Sequence, residues 1–239
     1  MEKLIYLLWA EGTEPDQTRK VLLEECAPEL IRRGAMKLSM NIDDSDSEVP
    51  PPLPPPAGEA SLSAEISLWL ECLDERGPFE QVLAAANARM AGYLVTESLY
   101  TDYGGNRHSG PRTWPDGERS PGLLTVTLLE QPARLTYEEW IERWHGTQSP
   151  VSERIQPRTR YVRNAVVRPL TEGAPPYKGI VDEAWPSAEH VTDPMLFYLA
   201  EGSEDRMKAN VKTMLESVNA FLDMDHIRTA TMSEYFLKS

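Results

Sequence analysis

The first half of the chain alternates between apolar and polar stretches that predict six elements. Residues 4–9 are wholly apolar, as in a buried strand, whereas residues 36–42 alternate, which is typical of a half-buried strand. Pro28 interrupts the first helical pattern and is expected to kink or split that helix. In chain order, the predicted elements are a strand (4–9), a helix (16–33), strands (36–42 and 66–73), a helix (79–90) and a strand (93–100).

The second half repeats this order. Thr136 precedes Glu139 by three residues, the spacing of a helix-capping box. The predicted elements are a strand (123–129), a helix (136–153), strands (160–167 and 177–185), a helix (207–222) and a strand (227–236). Two βαββαβ units indicate two ferredoxin-like sandwiches, each with one bare sheet face that must be buried. We therefore predict an α+β fold of two ferredoxin-like units fused in one chain, with their sheets packed as a pseudo-symmetric dimeric α/β barrel.

Charge supports the division into two units. Residues 1–105 hold 8 basic and 19 acidic side chains, whereas the remaining residues hold 16 and 19. We assign residues 1–105 to an N-terminal, degenerate ferredoxin-like unit and residues 121–239 to a C-terminal one. Residues 106–120 form the linker between them, since this stretch is rich in Gly, Pro and Arg.

The net charge of −14 over 239 residues argues against nucleic-acid and anionic-membrane partners, because both require a cationic face. The apolar runs are far shorter than the ~20 residues that span a bilayer. Cys26 and Cys72 are too few for a disulfide framework or a four-cysteine zinc site. The N-terminus shows no basic region with a cleavage site. We expect a cytoplasmic protein.

An acidic and proline-rich segment, Asp43 to Pro56, falls outside the repeated elements. Such composition is typical of a solvated, extended connector, and we expect a surface excursion without a catalytic group. The alternative is a proline-rich ligand for the aromatic groove of a partner.

The sequence contains no generic catalytic motif: no glycine-rich phosphate loop, no Cys-x-x-Cys, no His-Glu-x-x-His and no nucleophile elbow. The four histidines are dispersed, so a metal site would have to be assembled from separate elements. We predict no metal and no cofactor.

Polar and aromatic residues are densest in the second unit. Trp140, Trp144 and Gln148 recur every four residues and therefore share a helix face. Aromatic stripes at this spacing usually pack a core, and His145 would then point to solvent. The alternative is that this face borders a pocket, with His145 as the acid or base, because histidine titrates near neutral pH.

The segment 137–148, with its aromatic-x-x-x-Trp-x-x-x-His pattern (Trp140 and Trp144 followed by Gln148), resembles the early helix of the EthD family. Residues 160–168, 177–185 and 221–223 resemble later strands and the stretch before the closing strand of that family. The resemblance covers roughly residues 120–239 strongly and the first half only as a degenerate repeat.

This resemblance implies a dimeric α/β barrel with both halves in one chain, and it allows a homodimer of such fused barrels. Relatives with this barrel include cofactor-independent cyclases, isomerases, decarboxylases and quinone-forming oxygenases that act on aromatic or polyketide substrates. One departure is that the family's usual histidine falls at Gln148 here. An amide cannot act as an acid or base near neutral pH, so that role would pass to His145.

We therefore predict an EthD-like protein that binds a small hydrophobic or aromatic molecule in the barrel interior. If it is an enzyme, it is a cofactor-independent lyase, isomerase, cyclase or oxygenase; otherwise it is a non-catalytic binding protein or a scaffold with a filled barrel. The predicted catalytic residues are His145, Tyr161 and Glu183, and the predicted substrate-binding residues are Trp144, Gln148, Asn164 and Trp185. Asp182 is the alternative carboxylate. In a regular strand, residues separated by an odd number of positions face opposite sides. Only one of Asp182 and Glu183 can therefore line one cavity, and, unless a bulge intervenes, only one of Tyr161 and Asn164.

Overall fold

The structure is a computed structural model that describes residues 1–10, 12–53, 55–56, 58–86 and 88–239. The strands are β1 (Glu2–Trp9), β2 (Lys37–Ile42), β3 (Ala64–Leu70), β4 (Arg89–Thr101), β5 (Leu123–Leu129), β6 (Arg160–Pro169), β7 (Gly179–Trp185) and β8 (Ile227–Lys238). The α-helices are α1 (Pro15–Lys20), α2 (Ala27–Arg32), α3 (Gly77–Leu83), α4 (Tyr137–Ile141), α5 (Ser149–Ile155), α6 (Glu189–Thr192), α7 (Pro194–Phe197) and α8 (Glu204–Phe221).

The eight strands form one closed antiparallel barrel in the order β1-β3-β2-β8-β5-β7-β6-β4. Each half has the ferredoxin-like order, β4-β1-β3-β2 in the first unit and β8-β5-β7-β6 in the second. The halves join along their edges, where β2 pairs with β8 and β4 pairs with β6. Closure pairs the backbone groups that edge strands would otherwise expose. The predicted α+β fold, a dimeric α/β barrel within one chain, is confirmed. The boundaries at 105 and 121 stay a prediction.

Strand side chains alternate between the barrel interior and the outer, helix-covered face. In β1, Ile5 and Leu7 belong to the interior cluster, whereas Leu4, Tyr6 and Leu8 pack outward. The middle of the barrel is filled by apolar side chains, listed here: Ile5, Leu7, Tyr93, Val95, Leu124, Val126, Val166, Ile180, Ala184 and Met232. The expectation that a ligand occupies the barrel interior is therefore restricted to its ends, one of which is open over about 470 Å³ beside Trp9, Leu62 and Tyr177.

Each unit's first helix contains a wide, π-helical turn. In the first unit this turn is Val21–Cys26, and in the second it is Glu142–Gln148. A proline follows each turn by two residues, Pro28 and Pro150. Proline lacks the N–H that closes an α-helical turn and its ring clashes with the preceding turn's carbonyl, so a widened turn accommodates it. The predicted interruption at Pro28 takes this form.

The interpretation of residues 43–56 as a solvated connector is wrong. Asp44 is 1% exposed and accepts hydrogen bonds from Ser233 Oγ at 2.7 Å and Tyr235 Oη at 3.0 Å, both on β8. Further along, Thr231 Oγ1 donates to the Val49 carbonyl at 2.7 Å. The segment is fixed because β8 offers hydroxyl donors at alternate positions. We call residues 43–53 the strap; Pro54, which the original interpretation included, lies outside the described residues.

The remaining differences are local. The helix predicted over 79–90 is shorter, because α3 passes into a 3₁₀ turn over 84–86 and β4 already begins at Arg89. Asn87, within that prediction, lies outside the described residues. The short helices α6 and α7 were not predicted. In the part of the chain that the structure describes, no helix is both long and apolar enough to span a bilayer.

Candidate functional site

A cavity of about 240 Å³ lies between the outer face of the second unit's sheet and the helices that cover it. We call it the sheet–helix cavity. An apolar cavity of ~150 Å³ is large enough for benzene, so this one suits a molecule of one or two rings. Its lining is mainly apolar and includes Leu53, Thr125, Thr127, Leu129, Trp144, Gln148, Gln156, Tyr161, Val181, Glu183, Trp185, Phe197, Met214, Val218, Phe221 and Ile227.

Five of the seven predicted site residues line this cavity: Trp144, Gln148, Tyr161, Glu183 and Trp185. Strand parity explains the grouping on the sheet. Tyr161 and Glu183 are direct cross-strand partners in the regular β6–β7 ladder and so face the same side. Asp182, one residue before Glu183, faces the barrel interior instead.

The structure does not bring the other two predicted residues into the cavity. Asn164 lies in the barrel interior, where Lys3 donates to its Oδ1 at 2.8 Å. His145 packs its ring against the edge of Trp144 at 4.7 Å but does not line the cavity. Burial and then the nearby Arg163 guanidinium lower the pKa of His145 to about 4. His145 is therefore neutral at pH 7 and is a poor general acid.

Tyr161 is held by two hydrogen bonds at the base of the cavity. Trp144 Nε1 donates to its hydroxyl at 3.2 Å, and Ser149 Oγ lies 3.4 Å away. Ser149 Oγ itself donates to the Trp144 carbonyl at 3.0 Å and accepts from Arg163, so the Tyr161 hydroxyl donates to Ser149. Burial raises the pKa of Tyr161. Tyr161 is thus a neutral phenol whose proton is already engaged.

Glu183 supplies the carboxylate of the cavity. Arg158, which is 1% exposed, donates Nη1 to Glu183 Oε1 at 2.7 Å. The same guanidinium lies 3.8 Å from the centre of the Tyr161 ring. This ion pair holds Oε1 of Glu183 towards Arg158, while the side chain borders the cavity.

Gln148 presents an unsatisfied acceptor. Its Nε2 lies 3.1 Å from Met214 Sδ, and its Oε1 is buried without a hydrogen-bond partner among the described residues. A buried carbonyl oxygen without a donor costs about 1–3 kcal/mol. A ligand hydroxyl or N–H in the cavity would relieve that cost.

Trp185 forms one wall. Its Nε1 donates to Thr125 Oγ1 at 2.9 Å, and its ring stacks on Phe197 at 4.7 Å with an interplanar angle of 21°. Sequence reasoning missed Phe197, because α7 is only four residues long and has no measurable periodicity. It also missed Leu53 of the strap, which packs against the cluster around Trp144 and Tyr161 although it belongs to the first half of the chain.

The equivalent layer of the first unit is packed by side chains. Helices and outer strand faces there share one buried cluster that includes Leu22, Cys26, Leu30, Met40, Ile66, Leu68, Phe79, Val82 and Leu83. In the second unit, large aromatic residues keep the helices and the sheet apart. In the first unit, mainly aliphatic side chains fill the corresponding space. In the described part of the chain, no three His, Cys, Asp or Glu side chains are grouped closely enough to hold a metal ion.

Comparison with solved structures establishes the fold. An anthrone oxidase-like protein aligns over 100% of this chain and 94% of its own, with a TM-score of 0.59 and 12% identity. A protein from Fusobacterium nucleatum subsp. nucleatum, named as a candidate monooxygenase, aligns over 99% and 93%, with a TM-score of 0.52 and 9% identity. The chain has the dimeric α/β-barrel fold. At such low identity this similarity extends to the fold alone. No family model and no curated protein sequence matches the chain.

Proposed function

We propose that this protein binds a small aromatic molecule carrying a hydroxyl group in the sheet–helix cavity and removes a proton from it, as a cofactor-independent oxygenase of the EthD-like type. The observation that carries the proposal is the unsatisfied, buried Gln148 Oε1 in a mainly apolar cavity. An acceptor placed among Trp144 and Trp185 selects a flat molecule with a donor group.

Glu183 is the proton acceptor in this proposal: the ligand hydroxyl donates to Gln148 Oε1 while the ligand binds, and the same proton passes to Glu183 when the ligand reacts. It is a carboxylate that lines the cavity, and Arg158 holds it in place from the side away from the ligand. An aromatic alcohol that loses its proton becomes an electron-rich phenolate. Molecular oxygen, the oxidant, then forms a bond to the ring carbon para to that oxygen; one oxygen atom stays on the ring as the second carbonyl of a quinone, and the other leaves as water. The names of the similar solved structures, an anthrone oxidase-like protein and a candidate monooxygenase, are consistent with such a reaction.

A non-catalytic carrier is the second candidate, and the engaged hydroxyl of Tyr161 favours it. Since the proton of Tyr161 goes to Ser149, this residue cannot also donate to a substrate without rearrangement. A carrier needs only the shape of the cavity and the acceptor on Gln148. The enzyme requires Glu183 to accept a proton from the ligand, whereas the carrier does not.

The test uses 1-naphthol, a two-ring alcohol, with the full-length protein. Binding is followed by the fluorescence of Trp144 and Trp185, and oxidation by oxygen consumption. We expect Gln148→Leu to weaken binding about tenfold, the value of one hydrogen bond. Glu183→Gln should retain binding but lower oxygen consumption at least 10²-fold if this residue moves the proton.

Thr127→Phe is the matched control, because it fills the cavity without touching either polar group, and it should abolish binding. Binding with no oxygen consumption in the unmodified protein would support the carrier. Equal binding in the unmodified protein, Gln148→Leu and Thr127→Phe would refute the site itself.

A further inference from the structure

A second cavity, of about 340 Å³, opens at the end of the barrel where β1 begins and β8 ends. We call it the barrel-mouth cavity. It shares no lining residue with the sheet–helix cavity. Its wall contains the aromatic residues Trp69, Tyr103 and Phe236, and the remainder of the lining is largely charged.

The floor of this cavity is a buried polar network that joins the two units. Lys3 Nζ donates to Glu97 Oε2 at 2.7 Å and to Asn164 Oδ1 at 2.8 Å. Asn164 Nδ2 in turn donates to Asp182 Oδ2 at 3.3 Å. Burial and then the neighbouring Glu65 carboxylate raise the pKa of Asp182, and the two carboxyl groups are hydrogen-bonded. These two causes favour the protonated form of Asp182.

Asn41 is the exception in this network. Its Nδ2 donates to Glu65, which fixes the orientation of the amide because the Glu65 carboxylate can only accept. The opposite atom, Asn41 Oδ1, has no partner among the residues that the structure describes. Asn41 is 5% exposed and lines the barrel-mouth cavity. A polar atom buried in this way is satisfied by a donor that enters the cavity.

Four cationic side chains of the cavity lining are Lys37, Arg112, Arg160 and Lys238. The guanidinium groups of Arg112 and Arg160 form ion pairs with carboxylates at 2.6 Å and 3.0 Å. Lys37 and Lys238 form no such ion pair, because neither has a carboxylate within 4 Å in the described ranges. Lys238 Nζ instead donates to the Ala35 carbonyl at 2.8 Å. These two ammonium groups therefore remain available to an anion at the entrance.

We propose that the barrel-mouth cavity is a second binding site, for an aromatic amino- or hydroxy-carboxylate. The N–H or O–H group points inward and donates to Asn41 Oδ1. The ring lies beside Trp69 and Phe236, and the carboxylate lies outward between Lys37 and Lys238. The cavity volume exceeds the ~150 Å³ that holds benzene, which leaves room for both substituents.

The first test compares three ligands on the unmodified protein: 4-aminobenzoate, benzoate, which lacks the donor, and aniline, which lacks the anion. Binding is followed in ¹H–¹⁵N spectra through the indole N–H signals. We expect 4-aminobenzoate to shift the signal of Trp69 and to leave those of Trp144 and Trp185 unchanged. It should bind about tenfold more tightly than benzoate or aniline. Equal affinity for benzoate, or shifts confined to Trp144 and Trp185, would overturn the proposal.

The second test separates the rim from the floor. Lys37→Gln combined with Lys238→Gln leaves the buried network intact and should weaken 4-aminobenzoate about fivefold, since exposed ion pairs are weak individually. Lys208→Gln combined with Lys212→Gln on α8 removes the same charge far from the cavity and should change nothing. Equal losses in both pairs would show general electrostatic attraction and refute the site. Asn41→Leu should reduce the affinity for 4-aminobenzoate to that for benzoate.

Discussion

Removing the Asp44 carboxylate should destabilise the protein strongly, because this side chain fastens the strap to β8. Asp44 accepts from Ser233 Oγ, Tyr235 Oη and the Asp46 backbone N–H, at 2.7, 3.0 and 3.1 Å. In Asp44→Ala the two hydroxyl groups stay buried without an acceptor. Each unsatisfied group costs about 1–3 kcal/mol.

The expected loss is about 2–3 kcal/mol, below the sum of these costs. The reason is that Asp44 also repels the neighbouring Asp43, whose pKa it helps to raise, and the substitution relieves that repulsion. For a chain of this length, 1 kcal/mol corresponds to about 2–4 °C in Tm, so we expect Tm to fall by about 5–10 °C. Urea unfolding followed by tryptophan fluorescence should give the same loss at an unchanged m-value.

The matched control removes the donors as well. Adding Ser233→Ala and Tyr235→Phe to Asp44→Ala eliminates the orphaned hydroxyls, so the triple variant should lose less than the sum of the separate losses. A Tm within about 2 °C of the unmodified protein for Asp44→Ala would refute the reasoning. It would mean that the strap is held by its backbone contacts or not held at all.

Three further predictions concern single residues. Asp43→Asn should raise Tm at pH 7.5 but not at pH 4, which thermal melts at both pH values check. Burial and then Asp44 and Glu48 raise the pKa of Asp43 to about 6, so its ionisation in the folded protein costs stability. The unmodified protein incurs this cost as pH rises from about 4 through 6. Gly179→Ala should lower the free energy of unfolding by about 1–3 kcal/mol in urea and weaken 1-naphthol binding, because the new Cβ would lie 2.8 Å from the Trp144 ring. Unchanged binding would show that the ring moves away from the cavity. His145→Ala should change oxygen consumption with 1-naphthol less than twofold, and a loss of 10²-fold would restore the acid–base role predicted from the sequence.

The sequence predicts the barrel well because strands and helices follow from local periodicity. Residues 4–9 and 227–236 are recognisable as strands without any knowledge of their partners. The parity of Tyr161 and Asn164 also predicts that the two face opposite sides, and the β6–β7 register agrees. Periodicity carries no information about which edges close the barrel, and the pairing of β2 with β8 emerges only from the repeated element order.

The candidate site was harder to predict because distant parts of the chain build it. Leu53 and Phe197 reach the sheet–helix cavity from the strap and from a single helical turn. Proline-rich composition normally indicates an exposed connector. The three hydroxyl donors on β8 that fix the strap lie 182–191 residues away from their acceptors in sequence. His145 follows Trp144 by one residue, about 100° round the helix, and therefore lies off the face that Trp144 and Gln148 present to the cavity.

Closure through β8 also bears on how the chain is synthesised. The four strands of the first unit are complete once β4 ends at Thr101, yet its edge strands β2 and β4 pair with β8 and β6, which follow it. At ~5–20 residues per second, about 7–27 s pass between Thr101 and the end of β8. During that time two edges are open to other nascent chains. Residues 1–105 carry 19 acidic and 8 basic side chains, and we expect the resulting repulsion to oppose association between such intermediates.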